Sequence, residues 1–418
     1  LKPLGRSDIS SPCFPVFRHL IIFGSDDKLY PGAWRYSDVI RMGTEEDRLK
    51  LAKTEREIQP DDPINIQYTS GTTGQPKGAT LTHHNVLNNA YFVGIRAGYH
   101  EQKTVICIPN PLYHCFGCVM GVLSALTHLQ TCVFPAPSFE ALAALQAIDE
   151  EKCTALYGTP TMFIDMLNHP EYYKYNYDSI RSGTLFLSKF ALLLHYTLEG
   201  FIAGAPCPIT LCRRLVNEMH MTDMQVCYGT TETSPVSFMS IRDDPPEQRI
   251  KSVGHIMDHL EAAVVDKYGK IVPRGEKGEV IVRGYSVMRC YWNSEEQTKK
   301  EITEDRWYHT GYAITSADKL FPAHTFHFSD IAVMHDNGTI SIVGRSKDMI
   351  VRGGENIYPT EVEQFLFKHP KIEDAHIVGV PDERYGESVC AWIRLHESAV
   401  GIVTEEQIKN WCKGKVSA

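Results

Sequence analysis

The sequence predicts an α/β fold, and three observations lead there. Apolar patterns of helical period and of strand period alternate along most of the chain. Hydrophobic residues are 43% of the 418 and charged ones 22%, the balance of an ordinary globular protein with material for a large core. Internal repeats and low-complexity tracts are absent from the sequence, which disfavours fibrous or disordered classes.

The same arithmetic bounds the function. A formal net charge of −9 with scattered basic residues gives no positive stripe, so no nucleic acid partner is expected. At about 150 residues per domain the length suggests two or three domains. Twelve cysteines in 418 residues are too sparse for a disulfide framework, which favours a reducing compartment. The best apolar run, Phe186 to Leu198, is interrupted by Lys189 and His195 and is shorter than the roughly 20 residues of a spanning helix, so no transmembrane segment is expected. The chain opens with Leu1-Lys2-Pro3 rather than methionine, which is the reading of a fragment with room for a targeting peptide upstream. Oligomeric state is not written in these patterns.

Taken in order, residues 1–40 are irregular and rich in aromatics and prolines. Residues 44–62 are charged and end in Gln59-Pro60-Asp61-Asp62-Pro63, predicting a solvated helix and a linker. Ile64, Ile66 and Tyr68 then alternate with polar residues, as in a short strand. A helix is predicted from Asn85 with Val86, Ala90, Val93 and Ala97 on one face. Another is predicted after Pro111, with Phe116, Val119, Met120, Leu123 and Leu126 inward. Beyond residue 260 the pattern turns to strands, with Glu279–Gly284 a clear one. Asn337-Gly338, flanked by alternating runs, predicts a hairpin over Asp330–Val343. A Gly-rich loop follows Gly344, then a helix near Thr360–Lys368 and a strand over Ala375–Val380.

The first stretch with chemistry in it joins the short strand to the helix at Asn85. It reads Thr69-Ser70-Gly71-Thr72-Thr73-Gly74-Gln75-Pro76-Lys77-Gly78. Three glycines let the backbone bend and bring N–H groups close to an anion. Four hydroxyls, from Thr69, Ser70, Thr72 and Thr73, donate to phosphate oxygens, and Lys77 adds a positive charge. Most Gly/Ser stretches are plain surface loops; the preceding strand, the lysine and the hydroxyl density favour phosphate binding here. The ending Pro76-Lys77-Gly78 is not the Gly-Lys-Ser/Thr of a Walker A loop. Cys115-Phe116-Gly117-Cys118 by itself suggests redox chemistry or half a zinc site, but no second CxxC completes four ligands, and it overlaps a predicted apolar helix.

With Tyr68, this loop resembles the signature of the adenylate-forming superfamily, which includes acyl-CoA synthetases, luciferases and peptide-synthetase adenylation domains. The superfamily's other motifs follow in order: Asn110-Pro111-Leu112-Tyr113-His114, Ala203-Gly204-Ala205-Pro206, Tyr228-Gly229-Thr230-Thr231-Glu232, Gly344-Arg345-Ser346-Lys347-Asp348 and Arg352-Gly353-Gly354-Glu355-Asn356-Ile357-Tyr358-Pro359. The wording of Asn110–Gly117, Tyr157–Phe163 and Arg352–Pro359 is most similar to mitochondrial acyl-CoA synthetases that act on medium-chain fatty acids.

The resemblance implies a large N-terminal domain of α/β sheets with a distorted β-barrel, here 1–345, and a small mobile α+β domain, here 346–418. It implies a two-step ligase. ATP and a fatty acid give an acyl-adenylate and pyrophosphate, and coenzyme A then displaces AMP. By the same resemblance Thr69 to Lys77 hold phosphate, Thr231 contacts the α-phosphate and Glu232 helps hold Mg²⁺. Gly204, Ala205, Tyr228, Gly229 and Thr230 surround adenine, with Tyr228 stacked on it. Arg345 and an aspartate bind the ribose, Lys347 is the hinge, and Gly353 and Gly354 line the pantetheine tunnel. His114, Phe116 and Gly117 belong to the acyl pocket. Taken singly, a glutamate is more often a solvated charge, an arginine a surface ion pair and a histidine a satisfied core residue.

Four departures from the pattern set further expectations. Only 68 residues precede Thr69, so part of an N-terminal subdomain is expected to be missing. Leu185–Phe201 is an insertion of 17 residues between Ser182-Gly183-Thr184 and the Ala203 loop. Thr310-Gly311 is separated from its expected aspartate by the 18 residues Tyr312–Ser329, which carries the ribose role to Asp330 rather than Asp318. Gly414-Lys415 stands in a setting that resembles an earlier family segment, so the late adenylating lysine is expected to be absent and adenylation impaired. The alternative expectation is an inactive form that only binds adenylate or a partner.

Overall fold

The computed structural model describes residues 12–17, 19–24, 33–69, 76–188, 209–310, 330–345, 348–352, 355–382, 385–413 and 415. Chain contacts divide it into two units, Leu1–Asp62 and Pro63–Ala418. The first unit pairs strands β1 (Ile21–Ile22) and β2 (Trp34–Arg35) in parallel and adds helices α1 (Tyr36–Arg41) and α2 (Glu45–Glu57). Helix α2 is the solvated helix that its charges predict, with no buried residue. Thr44 and Asp47 start it as a capping box: the Asp47 N–H donates to the Thr44 hydroxyl at 3.2 Å, and the Thr44 N–H donates to the Asp47 carboxylate at 2.9 Å.

The second unit is built on a seven-stranded sheet. Strands β5 (Val105–Cys107), β6 (Thr131–Val133), β7 (Ala155–Gly158), β8 (Ser182–Ser188) and β9 (Asp223–Gly229) run parallel. Strands β10 (Val236–Met239) and β11 (His255–Ile256) add antiparallel at one side, giving the order β11-β10-β9-β8-β7-β5-β6. Parallel neighbours need crossovers, and α5 (Ala141–Glu150), α6 (Pro160–Leu167) and α7 (Ile209–Glu218) supply elements of them. Leu145, Ile148, Leu156, Tyr157, Phe163 and Val226 are buried between strands and helices as the main core. Helix α8 (Pro246–Lys251) packs on β9.

Helix α3 (His83–Arg96) buries Val86, Ala90 and Val93 as the pattern predicts, with Ala97 buried as its C-cap. It starts two residues before Asn85, because Asn85 closes a capping box with Thr82. The next helical segment winds as a π-helix over Phe116–Leu123 and continues as α4 (Ser124–Thr127). Phe116, Val119 and Met120 are buried, but Leu126 is 61% exposed, contrary to the helical reading. A π-turn adds residues per turn, so a face counted at 3.6 drifts away from the core within two turns.

A second sheet is antiparallel, with the order β12 (Leu260–Val265), β13 (Lys277–Gly284), β16 (Asp330–Met334), β17 (Ile340–Arg345); β15 (Tyr308–His309) also pairs with β13. The Asn337-Gly338 hairpin is the β16–β17 turn: Gly338 has φ +81, and Asn337 Oδ1 accepts from the Thr339 N–H at 3.1 Å. A third sheet has the order β14 (Cys290–Tyr291), β4 (Lys77–Thr82), β3 (Pro63–Thr69), followed by α9 (Glu295–Glu301). A fourth holds β18 (Ile350–Arg352), β19 (Glu355–Ile357), β20 (Ile372–Asp382) and β21 (Gly386–Leu395). Helix α10 (Pro359–Leu366) packs on β20; Val362, Leu366, Ile372 and Ile377 join the core of this sheet, and Ile408 and Cys412 of α11 (Glu405–Cys412) pack against it. The expected domain boundary at 345/346 falls between β17 and β18.

Candidate active site

The Ser/Thr/Gly stretch is the connection of a hairpin. Strands β3 and β4 pair antiparallel with Thr69 opposite Lys77, so residues 70–76 leave and return at one point. The Thr69 hydroxyl donates to the Lys77 carbonyl at 3.4 Å. Gly78 is required there, since a Cβ would stand 2.9 Å from Ile66 Cγ2 and 3.2 Å from Trp292 Cβ. Pro76 is exposed at the foot of the hairpin. Ser70, Gly71, Thr72, Thr73, Gly74 and Gln75 lie outside the described residues.

Strand β14 then brings a second segment to the hairpin. Tyr291 pairs with Ala79 and Cys290 with Thr80, and the end of α9 comes to lie beside Lys77. The Lys77 ammonium sits 2.6 Å from Glu301 Oε1 and 5.2 Å from the centre of the Tyr291 ring. Side-chain exposures of 12% and 7% make this a buried ion pair. Gln297 Nε2 donates to the same Glu301 oxygen at 2.7 Å. The Tyr291 hydroxyl contacts Glu301 Oε2 and lies 2.9 Å from Glu232 Oε1. Burial, with Glu232 and Glu301 beside it, pushes the Tyr291 phenol well above its ordinary range, so it keeps its proton.

Glu232 thus stands one hydroxyl away from the loop lysine's partner. It lies in a 3₁₀ turn, Thr231–Thr233, directly after β9, where Thr230 and Thr233 cap one another. Its Oε2 atom is buried and, among the described residues, has no hydrogen-bond partner. The Tyr308 hydroxyl is also buried without a partner among them, and burial, with Glu232 and Glu301 nearby, raises its phenol pKa. A free, buried carboxylate oxygen among hydroxyls fits a hard cation. No three His, Cys, Asp or Glu side chains gather as a metal cage among the described residues. Magnesium that arrives on a polyphosphate needs only one or two protein carboxylates.

Tyr228, the last side chain of β9, donates its hydroxyl proton to Asp330 Oδ2 at 2.5 Å, and both residues are buried. The Asp330 N–H in turn donates to Thr310 Oγ1 at 3.3 Å. The fold thereby reunites Thr310 with Asp330, 20 positions further along the sequence. Asp330 pairs across the hairpin with Arg345, of which the backbone alone is described. Gly229 lets β9 and β10 approach: a Cβ there would lie 1.7 Å from the Pro235 carbonyl oxygen.

His114, Phe116 and Gly117 lie at the start of the π-helix. His114 Nδ1 accepts the Phe116 N–H at 3.0 Å, and burial lowers the imidazole pKa to about 4. The ring is therefore neutral at physiological pH, with its proton on Nε2. Phe116 stacks on Tyr157 with 5.6 Å between centroids. Gly117 packs so closely that a Cβ would stand 2.4 Å from the Pro111 carbonyl oxygen. Cys115 and Cys118 are free thiols whose pKa values are raised, chiefly by burial, the opposite of a reactive CxxC pair.

Gly204, Ala205, Lys347, Gly353 and Gly354 lie outside the described residues, as do 189–201 of the first insertion and the whole of the second, 312–329. Sequence reading missed Tyr291, Glu301, Gln297 and Tyr308. The one local signal was Gln297 spaced four residues before Glu301; the rest depends on strand pairing.

Residues 26–292 match the AMP-binding enzyme family, and residues 361–418 match the AMP-binding enzyme C-terminal domain. The chain belongs to the AMP-binding enzyme family. It is 46% identical over 393 residues to the mitochondrial medium-chain acyl-CoA ligase ACSF2 of Danio rerio, covering 94% of this chain and 59% of that protein. The fold is similar to ATP-bound MatB from Rhodopseudomonas palustris, with a TM-score of 0.69 and 26% identity, covering 86% of this chain and 63% of that one. It is also similar to o-succinylbenzoate CoA synthetase (MenE) from Bacillus subtilis in complex with its acyl-adenylate intermediate, with a TM-score of 0.67 and 25% identity over 86% and 64% of the two chains. The chain spans less than two thirds of the length of each. No helix among the described residues is long and apolar enough to cross a membrane.

Proposed function

We propose that this chain carries the nucleotide site of an ATP-dependent acid–thiol ligase, which activates a medium-chain fatty acid as its acyl-adenylate and passes the acyl group to coenzyme A. The observation that carries this reading is the single hydrogen-bonded chain from Lys77 through Glu301 and Tyr291 to Glu232. It joins a phosphate-type loop to a carboxylate with a free oxygen. The relatives' names support the thiol acceptor, the medium-chain substrate and a mitochondrial location.

In the first half-reaction a carboxylate oxygen bonds to the α-phosphorus of ATP as the bond to pyrophosphate breaks. Charge shifts onto the phosphate oxygens. Lys77 at the base of the hairpin supplies a fixed cation there, and the loop hydroxyls supply donors. Thr231 would face the α-phosphate. Glu232 would hold magnesium, which when bound neutralises phosphate charge as a Lewis acid. Tyr228 and Asp330 would fix adenine and ribose, with Arg345 beside them. Neutral His114 offers an uncharged wall to an acyl chain, with Phe116 and Gly117 behind it. In the second half-reaction the thiol sulfur of coenzyme A bonds to the acyl carbon and AMP leaves. Lys347 would be the hinge for that step, and Gly353 and Gly354 would line the thiol's path.

Incubation with octanoate, ATP, Mg²⁺ and coenzyme A, read by mass spectrometry, tests the reading. Octanoyl-CoA and AMP are expected in equal amounts, formed slowly because of the setting of Gly414-Lys415, and a Lys77→Met variant is expected to lose them. A wild-type chain that forms neither product and gains no thermal stability from a non-hydrolysable octanoyl-adenylate analogue would overturn it. At a hundredfold excess over Kd that analogue is expected to add about 2.7 kcal/mol.

A further inference from the structure

We propose that Glu301 is a specificity-determining residue of the phosphate site, one that withholds Lys77 from a polyphosphate unless a divalent cation comes with it. The proposal rests on the nucleotide-site reading above and concerns a residue outside the loop and carboxylate motifs. Three features carry it.

The first is that Lys77 is already neutralised. Its ammonium lies 2.6 Å from Glu301 Oε1, inside the protein, where an ion pair is poorly screened. The second is that Glu301 is not free to swing aside. Gln297 Nε2 holds one oxygen at 2.7 Å, the Tyr291 hydroxyl holds the other, and Glu301 is the last residue of α9. A phosphate group must therefore share the lysine with a fixed carboxylate instead of displacing a mobile one.

The third feature is the charge balance of the cluster. Glu232 and Glu301 present two carboxylates to one ammonium and one phenolic proton. With both ionised the cluster holds one negative charge in excess, and a bare triphosphate meets repulsion there. A divalent cation at the free Glu232 Oε2 atom reverses the sign. The loop lysine, which read alone is a simple anion trap, becomes by this arrangement one arm of a two-cation cradle.

Equilibrium binding of α,β-methylene-ATP, measured in EDTA and in excess Mg²⁺, reads the device without turnover. Wild type is expected to bind the analogue at least about tenfold more tightly with Mg²⁺ than in EDTA. Glu301→Gln keeps the shape and removes the charge. It is expected to tighten binding in EDTA about tenfold, bring the Mg²⁺/EDTA ratio below about threefold, and leave AMP within about twofold of wild type. Gain of affinity is the discriminating readout, because a variant that only damaged the fold would weaken every ligand.

A Glu301→Gln variant that binds the metal-free analogue no more tightly than wild type overturns the proposal. Should that variant not fold, Glu301→Asp, which draws the carboxylate back by one methylene, is expected to give an intermediate ratio; an unchanged wild-type ratio overturns the proposal. A chain that binds neither AMP nor the analogue overturns the proposed function instead. Acetylation by acetic anhydride, read by peptide mass spectrometry, then decides the ion pair itself. Lys77 is expected to react at least about fivefold more slowly than exposed Lys174, and equal rates would overturn the pairing.

Discussion

Glu232, Tyr291 and Lys77 illustrate how far single residues could be read from the chain. Lys77 and Glu232 stand inside recognisable runs, so both could be singled out before any fold. Tyr291 and Glu301 were not, because Glu301 is 224 positions from the lysine it neutralises and only the pairing of β14 with β4 brings them together. Glu232→Gln keeps the Tyr291 contact but removes the charge on the free oxygen. It is expected to lower kcat for pyrophosphate release about 10²–10³-fold, the usual cost of losing one preorganised electrostatic group. Tyr291→Phe takes the shared proton from two buried carboxylates. It is expected to destabilise the fold by about 1–3 kcal/mol, read as a lower urea midpoint with an unchanged slope.

Elements followed their patterns where one residue set both start and face, and departed where backbone geometry changed the period. Thr82 and Asn85 start α3 by a capping box, and its apolar stripe is buried as predicted. The π-helix at Phe116 breaks the 3.6 count, which is why Leu126 ends in solvent. Strand β3 was marked by Ile64, Ile66 and Tyr68, yet these are its exposed residues, while Gln67 and Thr69 are buried. Period two identifies a strand without saying which side meets the core.

Gly229→Ala puts a Cβ into the Pro235 carbonyl and forces β9 from β10; a loss of about 1–3 kcal/mol in urea unfolding is expected. On α10, Glu363 accepts the Ile377 N–H at 2.9 Å, and burial raises its carboxyl pKa from 4.5 to about 7. The folded state therefore holds a proton that the unfolded state releases. The stability this contributes is complete below about pH 4.5 and is lost as pH rises through about 7. That shift corresponds to about 3 kcal/mol at most. Glu363→Gln is expected to match wild type near pH 4.5 and exceed it at pH 8 in urea midpoint; parallel pH profiles would contradict this.

At the scale of the whole molecule, alternating strands and helices announced the α/β class, and a parallel sheet with crossover helices is what the second unit contains. The strand order was not legible, since long-range pairing leaves no local trace. The motif wording already joined Thr310 to Asp330, and the fold brings the two together by setting β15 and β16 on the same strand, β13. Strands β4, β9 and β16 each present a motif residue near a strand end, and β14 adds Tyr291, which no motif marked.

In the proposed function, residues brought together by these strands promote attack of a carboxylate on the α-phosphorus of ATP. Octanoate labelled with ¹⁸O in both carboxylate oxygens tests it directly when incubated with ATP, Mg²⁺ and coenzyme A. Attack at that phosphorus leaves one labelled oxygen in the AMP released and none in pyrophosphate. AMP without label, or label in inorganic phosphate as an acyl-phosphate route requires, would contradict attack at the α-phosphorus.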